Sequence, residues 1–362
     1  MAKRKGNKKN KRNKLLLLIL LLSLSVLLLV MSTYAWFTSN RSVSVETLQV
    51  NVSTVNGLQI STDAVNWKAR VLKNDITSAK YTGVKNILPN TLDHVSTVGA
   101  VDSSTGLMKM YHGVVSADQT TGNYSLATTY IDESSRTQTC VGDTAVPDGT
   151  SAPTGVTLIP CDASGTQEKM YFVAFDLYFK VDAVTTVVLD PTSGVDQILE
   201  SGQTDTGIKN TVRVAFVKQG NVAPGGSAGT AQALHGGESV LIWEPNADTH
   251  TASGLANASS VYGLDTSGTI PSSLSYEGVK APFASTAGVY INTANATRYP
   301  SYFGSVTTYP TNYTNAANIP FATLAAGVTK YRVYWWVEGQ DVDTENSATG
   351  TNMKLDLAFS IA

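Results

Sequence analysis

The sequence predicts an all-β protein: an antiparallel β-sandwich of jelly-roll type with long loops, preceded by an N-terminal signal or anchor helix. Three observations predict it. Apolar and polar residues alternate along several extended runs, the pattern of strands with one buried and one solvated face. Charged residues are only 15% of the 362 residues, alongside 29 glycines and 12 prolines, and the rest is rich in β-branched residues and turn formers. No strand–helix–strand alternation and no fixed-period repeat occurs, which disfavours parallel α/β folds, solenoids and propellers.

The first element is the export segment. Residues 1–14 carry eight cations (Lys3, Arg4, Lys5, Lys8, Lys9, Lys11, Arg12 and Lys14), and no acid precedes Glu46. Leu15 to Met31 is then a run of seventeen residues, apolar apart from Ser23 and Ser25. A basic stretch ahead of an apolar one is the layout of a secretory signal, and the cations hold their end at the cytoplasmic face, sending the following chain outside. Thr33-Tyr34-Ala35 offers a cut between Ala35 and Trp36. The apolar run is longer than the usual signal core of about 7–15 residues and near the lower limit of about 17 for a spanning helix. Cleaved signal and uncleaved anchor both stay open, and both place residues 36–362 outside as the β-sandwich domain, with membrane contact only through residues 1–35.

Strands follow in order. Ser42 to Val52 has Val43 and Val45 in one phase and Leu48, Val50 and Val52 in the other, so a bulge or bend is expected at Glu46-Thr47. Leu58 to Ser61 and Met108 to Val115 are shorter candidates, the former followed by a turn at Asp63 and by Trp67. In Met170 to Val181, Tyr171, Val173, Phe175, Leu177, Phe179 and Val181 share one face, with Asp176 and Lys180 on the other. Thr185 to Leu189, and then the pair Thr211 to Lys218 and Ser239 to Trp243, come next. Residues 194–210 suit a short helix or turn, and residues 219–236 and 247–275 suit long loops. Tyr331, Val333, Trp335 and Val337 share a face opposite Arg332 and Glu338. Met353, Leu355, Leu357, Phe359 and Ile361 share a face opposite Lys354 and Asp356. With the polar stretch Gly339 to Asn352 between them, these last two strands read as a closing hairpin.

Composition limits the function. The full chain has 26 basic and 28 acidic residues, but taking away the eight cations of the export segment leaves a formal charge of −10 on the remainder. An acidic exported domain argues against nucleic acid as a partner. The only cysteines are Cys140 and Cys161. Outside the cell they are spaced to form a disulfide, which would contribute about 3 kcal/mol through loop closure; two free thiols are the alternative.

Three stretches together carry a family resemblance: Tyr34-Ala35-Trp36-Phe37-Thr38, the strand TLQVNV at Thr47 to Val52, and the terminal YWWVEGQDVDTEN at Tyr334 to Asn346. The first two resemble the TasA and camelysin-like exported proteins, whose signals are cut by the SipW type of signal peptidase. The third resembles a broader set of exported proteins with such signals. Trp36 departs from the family pattern, and because a small residue is wanted before the cut, Ala35 is the better site; Glu46 replaces the family's Gly before the second stretch. The resemblance is confined to the two ends of the chain. It implies a non-enzymatic jelly-roll subunit of an extracellular fibre, biofilm matrix or cell-surface layer, processed by a SipW-type peptidase and assembling as a homo-polymer. In such fibres the N-terminal strand of one subunit completes the sheet of the next. An unpaired sheet edge carries free N–H and C=O groups that invite such a strand. The donor here would be Trp36 to Val45, with Trp36, Phe37, Val43 and Val45 as anchors. Pairing of that segment within its own domain is the alternative.

Chemistry-bearing patterns are few. Asp341, Asp343 and Glu345 offer oxygens at alternate positions, a candidate Ca²⁺ loop. The EF-hand spacing is not met, however, and a solvated acidic hairpin loop is the competing expectation. His94, His112, His235 and His250 stand in no H-E-x-x-H helix, and no G-x-S-x-G elbow, P-loop or dinucleotide glycine pattern occurs. No catalytic residue is therefore assigned, and no cofactor beyond the candidate Ca²⁺ is expected. Tyr331, Tyr334, Trp335, Trp336 and Trp243 form a candidate carbohydrate-stacking platform, which would make the chain a surface adhesin instead; core packing competes for the same side chains.

Overall fold

A computed structural model describes residues 43–53, 57–83, 86–89, 91–92, 94–117, 124–131, 172–199, 201–247, 249–256, 289–291, 306–310, 318–339, 341, 343–344 and 352–362. The expected export segment at residues 1–35, Trp36, Phe37, Cys140, Cys161 and Glu345 lie outside the described residues. Among those described, no helix is long and apolar enough to cross a membrane.

The described chain is all-β. Its strands are β1 (Val43–Val52), β2 (Gln59–Ser61), β3 (Arg70–Leu72), β4 (Thr91–Leu92), β5 (His94–Val101), β6 (Met108–Ala117), β7 (Tyr124–Ile131), β8 (Phe172–Val181) and β9 (Thr185–Leu189). They continue with β10 (Gly194–Ile198), β11 (Val212–Val222), β12 (Ser239–Glu244), β13 (Val289–Ile291), β14 (Tyr309–Pro310), β15 (Ile319–Leu324), β16 (Gly327–Glu338) and β17 (Asn352–Ile361). Two short helices, α1 (Lys73–Ser78) and α2 (Ala228–Gln232), and a 3₁₀ turn at Ile208–Thr211 interrupt them.

The strands form two sheets. The smaller runs β15-β9-β17-β1-β3, with β10 also on β17 and β4 also on β1. The larger runs β13-β7-β6-β5-β16-β11-β12-β14, with β8 on the other side of β16 and β2 beyond it. Pairing is mostly antiparallel, but β1 runs parallel to β17, β5 to β16 and β14 to β12.

One apolar core lies between the sheets. Val43, Val45, Leu48, Val50 and Val52 of β1 and Met353, Leu355, Leu357 and Phe359 of β17 face Val173, Phe175, Leu177 and Phe179 of β8 and Val333, Trp335 and Val337 of β16. Aromatic rings bridge the layers. The Phe359 ring is 4.8 Å from Phe321 and 5.0 Å from Phe179, and Phe216 is 5.1 Å from Phe321. The phase slip in β1 is a bulge. Val45 pairs with Met353 and Thr47 with Lys354, leaving Glu46 as the extra, exposed residue. The extra residue resets the alternation, so both phases of β1 point inward.

Three sequence expectations are corrected. The last two strands do not form a hairpin. β16 pairs with β8 and β11 in the larger sheet, and β17 with β1, β9 and β10 in the smaller. Each brings one apolar face to the same core from opposite sides, and the intervening stretch is long enough to cross between layers. Second, the outer face of β8 and β16 is buried over most of its length: Asp176, Arg332 and Glu338 are at most 3% exposed, while Lys180 near the end of β8 is half-buried. The outer face of β8, β11 and β16 is covered by a second apolar layer, in which Ile87, Val95, Met108 and Met110 pack against Phe172, Tyr334 and Trp336. Third, residues 219–236 are not wholly loop. β11 runs on to Val222 past a register shift between Lys218 and Gly220, where Gly220 takes φ 135°.

Candidate functional site

The acids expected in a solvated loop after β16 are instead buried. Asp341 and Asp343 are both 0% exposed. They meet side chains from β11, β12 and the segment after β12, which burial of the outer face brings together.

Arg213 of β11 is the cation of this cluster. Its Nη2 lies 2.8 Å from Asp341 Oδ2 and 2.8 Å from Glu244 Oε1, and its Nη1 donates to the Asn210 carbonyl at 3.0 Å. The Asp343 N–H donates to Asp341 Oδ1 at 2.9 Å. Asp343 Oδ1 accepts from the Thr251 N–H at 2.8 Å and the Thr251 hydroxyl at 2.7 Å. Its Oδ2 accepts from Asn210 Nδ2 at 2.9 Å and stands 3.1 Å from His250 Nδ1. The Thr249 hydroxyl completes the ring by donating to Asn210 Oδ1 at 2.8 Å. Glu244 Oε2 accepts from Thr307, and the Thr344 hydroxyl donates to the Glu338 carbonyl.

His250, Asp341 and Asp343 each present a potential ligand atom, all within 4.8 Å of one another. The surrounding chemistry does not fit a cation well. Both oxygens of Asp343 and both of Asp341 already accept from donors of the chain, and Arg213 supplies positive charge on the spot where an ion would sit. A Ca²⁺ ion takes six to eight oxygens and would have to displace these donors beside a guanidinium. The arrangement works as a buried charge-assisted clasp. It ties the start of β11 and the end of β12 to the stretch that carries the chain from the larger sheet to the smaller. Burial of every carboxylate also denies access to a substrate.

A second charged cluster lies on the outer face of β8 and β16. Asp176 Oδ1 is 2.9 Å from Arg332 Nη1, and Oδ2 is 3.0 Å from Lys330 Nζ and accepts a short hydrogen bond from the Tyr81 hydroxyl. Lys330 also donates to the Gln232 carbonyl at 2.8 Å. Burial pushes the Asp176 carboxyl upward, but Arg332, Lys330 and Tyr81 outweigh it and hold the group below its usual 3.8. Burial, followed by the Asp176 charge, raises the Tyr81 and Tyr178 phenols well above their ordinary range. Both clusters are closed by ion pairs and hydrogen bonds, as buried ionic groups must be to persist.

Val43 and Val45 sit in β1 at 0% and 3% exposure, paired within their own chain. The proposed stacking aromatics are also core: Tyr331, Tyr334, Trp335, Trp336 and Trp243 are at most 4% exposed. They supply no sugar platform. Sequence reasoning missed Arg213, Glu244, Asn210, His250 and Thr251 as partners of the acidic stretch, because nothing in the spacing of such distant residues marks them. Comparison with protein-family models, with curated proteins and with solved structures finds no match for this chain.

Proposed function

We propose that the chain is an exported, non-enzymatic structural subunit of an extracellular fibre, matrix or bacterial cell-surface layer. In this reading residues 1–35 are the signal or anchor, removed where cleaved by a peptidase of the SipW type. The two sheets form a jelly roll, a reading supported by the way the chain passes between layers at β8 to β9, β10 to β11, β15 to β16 and β16 to β17.

The observation that carries the proposal is the place of β1. Among the described residues it is the first strand, yet it is a buried, ten-residue strand lying beside the C-terminal β17. Its other neighbours are only the three-residue β3 and the two-residue β4. A terminal strand with one long partner can be exchanged between copies while keeping its core contacts, which is the economy of strand swapping and donor-strand addition. Residues 36–42 precede β1, so Trp36 and Phe37 would extend the donated strand and anchor it in the next subunit, while the stretch after Val52 would span the junction.

Electron microscopy of the chain recovered after export tests the proposal. Deleting residues 36–42 leaves β1 whole, so the variant should fold with unchanged circular dichroism but yield no fibres or ordered layers. Wild-type protein that stays monomeric at all concentrations refutes the subunit reading. Polymers that survive the deletion refute the anchoring of the donated strand by Trp36 and Phe37.

A further inference from the structure

A surface cleft of ≈ 330 Å³ opens between the turn after β2, the end of β8 and the loop before α2. Trp67 and Lys180 line it together with Asp182, Gly225 and Ser227. The site belongs to neither charged cluster, and its use does not depend on polymerisation.

Its walls are held rigidly. Asp63 Oδ1 accepts from the Val65 and Asn66 N–H groups at 2.9 and 2.7 Å and from the Ser61 hydroxyl at 2.8 Å. Asp63 Oδ2 accepts from Asn66 Nδ2 at 2.6 Å. The next residue, Ala64, takes φ 57°, left-handed backbone in a non-glycine residue. Such a conformation is strained and persists only where its surroundings impose it. Gln232 Nε2 of α2 donates to the Asp63 carbonyl at 2.7 Å, joining one wall to the other. Lys180 Nζ lies over the Trp67 indole, 5.6 Å from the ring centroid, fixing the ring's orientation.

We propose that this cleft is a binding site for a neutral pyranose of a glycan. Trp67 is half-buried, and the indole surface away from Lys180 offers a flat apolar wall for the C–H face of a sugar ring. Asp182 accepts from sugar hydroxyls, while Lys180 and Ser227 donate to them. The single ammonium and single carboxylate offset each other, so neither a strong anion nor a cation is preferred. The volume falls at the low end of ligand pockets, about 300–1,000 Å³, which suits one sugar unit of a chain and excludes a folded partner.

Calorimetric titration of the full chain with maltohexaose, cellohexaose and chitohexaose tests the site, paired with retention on insoluble cellulose and chitin. At least one hexasaccharide should bind. Trp67→Ala should abolish that binding, Trp67→Phe should retain part of it, and Asp182→Ala should weaken it by about tenfold through a lost charge-assisted hydrogen bond. Asp182 is exposed, so that variant keeps the fold even where Trp67→Ala lowers stability. Retention on the insoluble polymer marks a wall or matrix glycan as the source, and binding of the free sugar alone marks a soluble one. No binding of any of the three at millimolar concentration overturns the proposal, as does binding indifferent to Asp182→Ala and Trp67→Phe.

Discussion

Arg213 and Asp341 form a buried ion pair across the point where the chain leaves the larger sheet for the smaller. The guanidinium nitrogen is 2.8 Å from the carboxylate oxygen, and neither side chain is more than 2% exposed. Glu244 shares the same nitrogen. One cation therefore holds two carboxylates from two elements.

Replacing Arg213 with Met leaves Glu244 and Asp341 buried without that cation. The expected loss is about 3–5 kcal/mol, the range for removing one partner of a buried pair. Urea denaturation should show the midpoint falling with little change in slope. A variant as stable as the parent would show that the clasp contributes nothing to holding the crossing.

Calcium provides an independent check on the same residues. Because the oxygens of Asp341 and Asp343 are engaged by Arg213, Asn210, Thr251 and the Asp343 N–H, Ca²⁺ or a chelator should leave the melting temperature unchanged. A rise that saturates with Ca²⁺ would return these acids to a cation-binding role, since a ligand that binds only the folded state stabilises it.

Asp176 predicts an acid limb in the stability profile. Its carboxyl is held below 3.8 in the folded protein, so as pH falls the unfolded chain takes up the proton first. The stabilisation is full above the unfolded value and is lost as pH falls through the lowered folded one. Asp176→Asn leaves Lys330 and Arg332 facing a neutral amide and should cost about 3–5 kcal/mol at neutral pH. The gap to the parent should narrow below pH 4. A gap constant from pH 7 to pH 3 would contradict the ionised pairing.

Two glycines separate backbone strain from steric collision. Gly225 takes φ 86° with nothing within 4 Å of an added Cβ, whereas at Gly327, φ 107°, a Cβ would stand 2.0 Å from the Val222 carbonyl oxygen. Gly225→Ala should cost about 1 kcal/mol from the left-handed conformation alone. Gly327→Ala must move β16 or the end of β11 and should cost several-fold more. Thermal melts of the two variants compare them directly, and equal losses would refute the close approach at Gly327.

Much of the fold was legible in local pattern. The alternation in β8, β16 and β17 named the inward residues, and the slip at Glu46 located the bulge in β1. The pairing of β11 with β12 came from their adjacency in sequence. β5, β7 and β15 escaped notice, and residues 194–210 suit a short helix or turn where the structure has β10, because the apolar residues are too few or too irregular for a period to emerge. Val195 is the only fully buried residue of β10, and β15 starts Ile319-Pro320 and carries a register shift before Ala322. The closing hairpin failed for a different reason: two alternating strands joined by a polar stretch look alike whether they pair with each other or face each other across a core.

By itself the sequence determined the basic and then apolar pattern of residues 1–31, the acidic charge of residues 36–362, the all-β class and the inward faces of the long strands. These are properties of neighbouring residues, set by charge, hydrophobicity and a period of two. Only the tertiary structure decided that Asp176, Arg332, Asp341 and Asp343 are buried rather than solvated. A charge on the polar face of a strand reads the same in either case. The difference lies in a counter-charge from elsewhere, and the partner of Asp341 stands 128 residues away in the chain. Burial of a charge is stable only with such a partner, so it is written in the packing of the second layer and not in the local sequence.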